Sequence, residues 1–583
     1  MDASSVSPSI VSVPTSRLLP IRTPRSAPAE WTTTDDSSAA TVEEEEPVTP
    51  TARLMEGIYI VVTIGLGSPV NLQVFSAGAA AELARFPRFR SIQVTDGNGN
   101  NPRWARTAVN VEDHMIVPTI DTAAVAADPD RAVEDYVASV YTLPMDRSRP
   151  LWEFHFLDFP TSEAASTVVL RVHHSLGDGM SLITLLLASS RSAADPTRLP
   201  AMPEQPARTG AIYAPRRRAP FTSSTSRPPR RPPPWCSACT TPSATACRSS
   251  HSSWRPRAAP PIRHACRPCQ SSQRAQAPST RRGAERRHRA LAAFITWIWP
   301  YLVLAWNTMV DVSFFAATIA FLRDPCTPFR RADGDVTLNP RRRFVHRSLS
   351  LDDVKFVKNA MSCTVNDVLV GATSAALSRY YFRKSGGTDT YRTWLRSVLL
   401  VNTRPTASLQ TYANMIESGR SNDVAWGNQL GYILLPFHLA MHDNPLAYVR
   451  KAKMTVDRKK SSLEAIFTCK TSEVFVKMFG LKAGAFIFRR MFANTTISFS
   501  NLVGPTEKIE LCGHPVVFIA PSVYGVPQAL IMHYQSYNNT IKIVLSVDEE
   551  IFPDYSQLLD DFVVSFGLIK DAASRLSESI KKE

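Results

Sequence analysis

Alternating apolar strands and helices predict a mixed α/β (α+β) fold for this 583-residue chain. Three observations carry that prediction. The run Ile58–Ile64 is β-branched and bounded by glycine, as a buried strand requires. The strand Ser166–Val172 runs through a short turn into the apolar helix Ser181–Ser189, and strand and helix patterns resume beyond Arg341. A chain of this length has room for two or more domain-sized units and a substantial core.

Residues 1–45 are rich in Ser, Thr and Pro and read as a disordered tail. They lack the apolar region of a secretory signal, and a transit peptide is the other reading. The segment Pro47-Val48-Thr49-Pro50 is a stiff lead-in to a first folded unit, 46–203. In it the spacing predicts a strand over Ile58–Ile64 and a short helix over Ala77–Leu83. Ser91–Val94 reads as a strand, Ala132–Tyr141 as a helix, and Trp152–Phe156 and Ser166–Val172 as strands ahead of the helix Ser181–Ser189.

Residues 204–289 break this pattern. Between Ala201 and Ala290 there are 18 Arg, no Lys and two acidic residues, Glu204 and Glu285, a net of +16. The whole chain carries +15, so the other residues sum to −1. The basic character therefore belongs to this insert and implies no specific nucleic-acid partner for the folded part. Without apolar periodicity the insert cannot offset the entropy of ordering and reads as disordered; its Arg-, Pro- and Ser-rich composition also matches GC-rich nucleic acid read out of frame. Five of the nine cysteines lie here. Cys236-x-x-Cys239 and Cys266-x-x-Cys269 imitate zinc knuckles, but no folding pattern surrounds them, so no metal is expected. The four scattered cysteines elsewhere fit a reducing compartment.

Residues 290–324 read as a membrane-associated segment. Ala290–Val310 is uncharged and holds Trp297, Trp299, Tyr301 and Trp306; Asp311 separates it from a second apolar stretch, Val312–Leu322. A single crossing would put the flanking units on opposite sides of the bilayer. A monotopic attachment is the preferred reading, either re-entrant about Pro300 and Asp311 or packed into the protein.

The last unit, 325–583, shows strands at Phe344–Leu349, Ser397–Asn402, Thr496–Ser500, Val516–Ala520 and Lys542–Val547. Helices are predicted at 351–361, from Asn366 onward, at 444–458 and at 555–577.

The chemistry centres on His173-His174-Ser175-Leu176-Gly177-Asp178-Gly179, between an apolar strand and an apolar helix. One histidine of such a turn can face a channel while the other supports the structure. Imidazole titrates nearest neutral pH and can take a proton from an attacking hydroxyl. Asp178 can fix the turn or orient the site through a cation elsewhere, for which Arg404 is a candidate. Gly177 and Gly179 permit backbone angles or close approaches that a Cβ forbids. Pro150, Leu151 and Trp152 either line a substrate channel or belong to the core. Asn366 and Asp367 open a helix, as an N-terminal cap or as site residues. Asn501 lies in a strand-end turn.

The seven-residue pattern, HHxxxDG, resembles that of the CoA-dependent acyltransferase superfamily. Pro150-Leu151-Trp152-Glu153, Asn366-Asp367-Val368-Leu369, Asn402-Thr403-Arg404-Pro405, Gly427-Asn428-Gln429-Leu430-Gly431 and Ser500-Asn501-Leu502-Val503-Gly504-Pro505 narrow it. In order and spacing they resemble the plant branch of the wax ester synthase/diacylglycerol acyltransferase family, over about 47–202 and 291–583.

That resemblance implies two chloramphenicol-acetyltransferase-like halves with an active-site channel between them. It implies acyl-CoA as co-substrate, no bound cofactor, and a fatty alcohol or diacylglycerol as acceptor. His174 would be the general base, with His173 and Asp178 beside it and Gly179, Asn366, Asp367 and Arg404 in support. The implied location is the endoplasmic reticulum membrane with the catalytic part in the cytosol, or the plasma membrane. The competing readings are a relative acylating a soluble metabolite, which would want a soluble chain, and an inactive lipid-binding relic.

Overall fold

The computed structural model describes residues 46–84, 86–95, 102–203, 279–330, 341–386, 393–404, 409–418 and 427–582. The tail expected over 1–45, most of the insert and both Cys-x-x-Cys pairs lie outside them.

In chain order the first half comprises β1 (Glu46–Pro47), α1 (Pro50–Leu54), β2 (Tyr59–Leu66), α2 (Leu72–Gly78), β3 (Ser91–Val94), β4 (Arg103–Arg106), β5 (Met115–Ile116), α3 (Thr122–Ala127), α4 (Pro129–Val140), β6 (Trp152–Leu157), β7 (Ser166–His173), α5 (Gly179–Ala188) and β8 (Ser190–Ser192). Then come α6 (Ser279–Ala320), β9 (Arg342–Ser350), α7 (Leu351–Ala360), α8 (Val365–Lys384), β10 (Trp394–Asn402), α9 (Leu409–Glu417), β11 (Leu430–His438), α10 (Leu446–Lys460), α11 (Glu464–Ala493), β12 (Ile497–Val503), β13 (Ile509–Leu511), β14 (His514–Tyr524), β15 (Leu530–Tyr537), β16 (Thr540–Asp548) and α12 (Tyr555–Lys582).

Two sheets organise the body. One has the order β5-β6-β7-β2-β14-β13-β8, the other β11-β10-β12-β15-β16-β9. The mixed α/β class is therefore realised, but the boundary between halves drawn near 325 is not how the chain is shared out. β13 and β14, late in sequence, complete the first sheet: β14 pairs antiparallel with the free edge of β2, Ala520 opposite Thr63. A buried strand edge must be paired or covered, and here the late strand does it.

In β15, Leu530, Met532 and Tyr534 bury into a core shared with α7, α8, α10 and α12. The alternate residue Ile531 packs instead with Met55 and Ile58 of the first half. The halves also share Tyr141, Phe344 and Tyr524 in one apolar cluster.

α6 corrects two expectations. It starts at Ser279, inside the stretch read as disordered, and continues through Pro300 and Asp311, where a break or hairpin was the reading. Asp311 is buried, but Arg458 and Lys459 from the end of α10 neutralise it at 2.8 and 2.9 Å, so it need not interrupt the helix. The part beyond it packs on the second sheet: Phe314 stacks on Trp394, and the buried Arg396 reaches Thr318.

Candidate active site

The motif leaves the first sheet tied on both sides: His173 N–H donates to Leu151 O (3.0 Å) and His174 N–H to Ile58 O (2.9 Å). Asp178 then caps α5, accepting from Ser181 N–H at 2.9 Å. A Cβ on Gly177 would lie 2.8 Å from Ser181 Cβ, and one on Gly179 would lie 3.0 Å from Leu502, so this turn is built for residues without one.

Asp178 is fully buried and both its oxygens are engaged. Arg404 grips it with two bonds, of 2.8 and 3.1 Å, and Gln429 N–H donates to it at 3.2 Å. Arg404 also donates to Gly427 O, and Ser181 Oγ donates to the same carbonyl. Gly427 has φ +89°, a left-handed conformation that suits glycine. The segment 427–429 is thus clasped onto the motif turn from the other half. Among the described residues no hydrogen bond joins Asp178 to a histidine ring; its bonds hold the turn.

His174 completes the clasp. Its Nδ1 lies 3.0 Å from Asn428 Oδ1, and Asn428 Nδ2 donates to His174 O at 2.9 Å. The second bond fixes the amide orientation, because only the nitrogen can donate to a carbonyl. Oδ1 therefore faces the ring as an acceptor, Nδ1 carries the hydrogen, and Nε2 keeps the lone pair. Burial pushes the His174 imidazole below its ordinary value, with the Asp178 carboxylate and Asn428 opposing. The ring is neutral near pH 7, the form a general base needs.

His173 takes the opposite tautomer. Ser175 N–H points at its Nδ1 (3.3 Å), and Ser175 Oγ lies 2.7 Å from the same nitrogen while accepting from Gln93 Nε2. Nδ1 is the acceptor and the hydrogen sits on Nε2, 4.0 Å from the Glu56 carboxylate. Tyr59 packs edge-on against the ring. Burial, with Arg147 and His174, pushes His173 down to about 4. Its basic nitrogen is occupied, so of the three residues read as catalytic only His174 offers a free lone pair.

The other sequence candidates separate into two places. Trp152 is fully buried in the first-half core, its face stacked on His114 at 3.9 Å and its Nε1–H donating to Phe89 O. Of its two readings, the structure gives the core one, because both face and N–H are consumed by packing. Pro150 and Leu151 are buried beside it, Leu151 supplying the carbonyl that holds His173. Asp367 closes a capping box with Thr364 at the start of α8, and Asn366 bonds Asn501 at β12. Among the described residues no hydrogen bond joins that cluster to His173 or His174.

Sequence reasoning gave Asn428, Gln429, Ser175 and Ser181 no role. Gly427-Asn428-Gln429 was visible as a motif, but the partner it holds lies 254 residues away in sequence. His533 was also missed. It is buried on the face of β15 that turns from the helical core, and its Nε2 has no partner among the described residues. Burial, and then the charge of His174, pushes it down to about 4.

Residues 66–369 match the family model described as the wax ester synthase/diacylglycerol acyltransferase catalytic domain, and 426–570 match the WS/DGAT C-terminal domain. The chain belongs to the wax ester synthase/diacylglycerol acyltransferase family. Wax ester synthase/diacylglycerol acyltransferase 11 of Arabidopsis thaliana is 38% identical over 538 residues, 90% of this chain and 95% of the relative. Number 5 of the same plant is 37% identical, over 90% and 93%. The fold is that of a solved wax ester synthase/diacylglycerol acyltransferase from Marinobacter aquaeolei VT8, at TM-score 0.50 and 16% identity, covering 91% of this chain and 100% of the other.

Proposed function

We propose that this member of the family is an acyl-CoA-dependent O-acyltransferase that esterifies a long-chain alcohol, diacylglycerol, or both, with His174 as general base. The observation that carries the reading is the Asn428 clasp, which commits Nδ1–H and leaves Nε2 basic. Nε2 takes the proton of the acceptor hydroxyl as its oxygen attacks the thioester carbonyl. The tetrahedral intermediate collapses with loss of CoA thiolate, which takes the proton back from His174, so no acyl-enzyme forms. Acyl-CoA is the co-substrate, and no cofactor enters a step.

The test is ester formation from labelled palmitoyl-CoA with hexadecanol and diacylglycerol in competition. Ester made by the intact chain and lost in His174→Ala supports the reading. Equal output from both, or none from either, overturns it.

The same reading puts the enzyme on the cytosolic side of the endoplasmic reticulum membrane. Support comes from one helical stretch, Ala293–Ala320, long and apolar enough to cross a bilayer. A lone crossing is hard to reconcile with the chain. Met202, before the insert, is bonded to Gln410, and Arg396 ties the end of α6 to the same body. A second crossing would have to lie in the insert ahead of α6, where the longest charge-free run, Pro232–Cys247, is proline-broken and short of the roughly 20 residues of a helical span. A peripheral attachment follows. Recovery with microsomal membranes, and cleavage of both ends of the chain by protease added outside them, is the expected result; protection of one end overturns it.

A further inference from the structure

α6 does not carry the exposed apolar surface alone. α11 packs against it, and both helices bury their inner sides on the β10–β11 edge of the second sheet. Each also leaves large apolar side chains uncovered on its outer side. On α6, Trp297, Trp299 and Trp306 are each more than 60% exposed; on α11 so are Met478, Phe479 and Phe486. Isolated apolar side chains on a surface need no explanation, but large ones concentrated on two adjoining helices do. α11 breaks at Gly480 (φ 81°, ψ 169°), directly after Met478 and Phe479, so the two stand at a corner of the helix.

The rim is cationic. Lys477, Lys482 and Arg489 of α11 are all exposed beside these residues, while Lys470 is paired with Glu473. Indoles with basic side chains around an apolar patch are the chemistry of an anionic lipid interface. A second copy of the chain would set these cations against themselves across a two-fold axis. The insert is no better occupant: it is Arg-rich and has no apolar periodicity with which to fill the face.

The inner side of α11 reaches the site. Thr468 Oγ1 bonds both the N–H and the carbonyl of Tyr432, and Cys469 Sγ is 3.5 Å from Thr403 Oγ1. A Cβ on Gly431 would lie 2.0 Å from Ala465 O, so β11 and α11 are in backbone contact there. These residues adjoin Asn428, Gln429 and Arg404, the clasp around His174.

We infer that α11 joins α6 in a peripheral docking face for an anionic phospholipid surface, and that lipid-dissolved acceptor is delivered to the His174 site from this face. The second clause rests on the acyltransferase reading above; the first does not. Met478→Glu/Phe479→Glu in the full chain tests it, with α6 untouched. Flotation with vesicles of phosphatidylcholine, with and without phosphatidylserine, reads docking. Ester formation from vesicle-borne hexadecanol is compared with ester from hexanol dissolved in buffer.

The intact chain floats better with phosphatidylserine present. The double variant loses about tenfold or more of that binding, because two charges replace inserted apolar groups. Its ester output from hexadecanol falls in parallel while output from hexanol holds. Flotation equal to that of the intact chain overturns the proposal, as does flotation indifferent to phosphatidylserine. If hexanol ester is also lost, the variant is misfolded and Lys477→Glu/Lys482→Glu decides: retained binding to anionic vesicles then overturns it. An intact chain that floats but makes no ester from either alcohol refutes the acyltransferase reading and leaves the docking face standing.

Discussion

Asn428→Ala isolates what the clasp does for the base. The substitution removes both bonds to His174, stranding the Nδ1–H and the His174 carbonyl in a buried site. A buried group left without its partner costs about 1–3 kcal/mol. The carbonyl's share falls on stability, as a loss of about that size in unfolding free energy. The ring's share falls on catalysis, because Nε2 keeps its lone pair only while Oδ1 holds the hydrogen on Nδ1. At 1.36 kcal/mol per tenfold, the same range gives a fall of roughly 5- to 150-fold in kcat. His174→Ala is the reference and should lose about 10²–10⁴-fold, the whole contribution of a general base. The assay is steady-state ester formation with saturating palmitoyl-CoA, with circular dichroism to confirm folding. Asn428→Ala with intact kcat beside an inactive His174→Ala would refute the argument that Asn428 sets the tautomer.

Arg404→Met leaves the fully buried Asp178 carboxylate uncompensated and should cost about 3–5 kcal/mol in denaturant unfolding, while Asp178→Asn/Arg404→Met costs less than the two single changes summed. His173 and His533 are held neutral at about 4 each. Above the unfolded value near 6.5 neither folded nor unfolded chain protonates them, so that stability is fully present. As pH falls toward 4 the unfolded chain gains protons the fold refuses, and unfolding measured against pH should show a loss of about 3 kcal/mol per site by pH 4. Because burial lowers His174 too, the acid limb of kcat/KM should lie below 6.5; a limb above it would contradict a buried neutral base. Trp152→Phe strands the Phe89 carbonyl and should cost about 1–3 kcal/mol in stability with acyl-chain preference unchanged, measured by competition among acyl-CoAs; an altered preference would return Trp152 to the channel.

Local patterns were legible where one residue's environment is set by its neighbours in sequence. Ser91–Val94 is a strand as read, and Ser166–Val172 extends by one residue to His173. The motif helix was expected from Ser181 and starts at Gly179, because Asp178 caps it. β11 escaped notice because Pro436 argues against a strand interior; it is tolerated because β11 is a sheet edge, where a missing N–H costs no ladder bond. β15 is buried on nearly every residue, so it lacks the alternation that marks a half-exposed strand. α6 was cut at Asp311 because the neutralising Arg458 and Lys459 come from another helix. In the site, the histidines and the cap could be read from the motif itself. What tells them apart could not: the tautomer of each ring is set by a partner, and for His174 that partner arrives from the other half.

The pairing of β14 with β2 also sets a timetable for biosynthesis. β2 and β7 emerge from the ribosome early, but the strand that closes the open edge of β2 is made roughly 350 residues later. At about 5–20 residues per second the nascent edge waits on the order of 20–70 s. Through that interval one edge of an apolar, β-branched strand has no mate, the situation in which chains pair with the wrong neighbour. The burden of keeping this protein unaggregated during synthesis therefore falls on whatever shields the nascent chain, and a truncation anywhere before Tyr524 leaves both halves unfinished together.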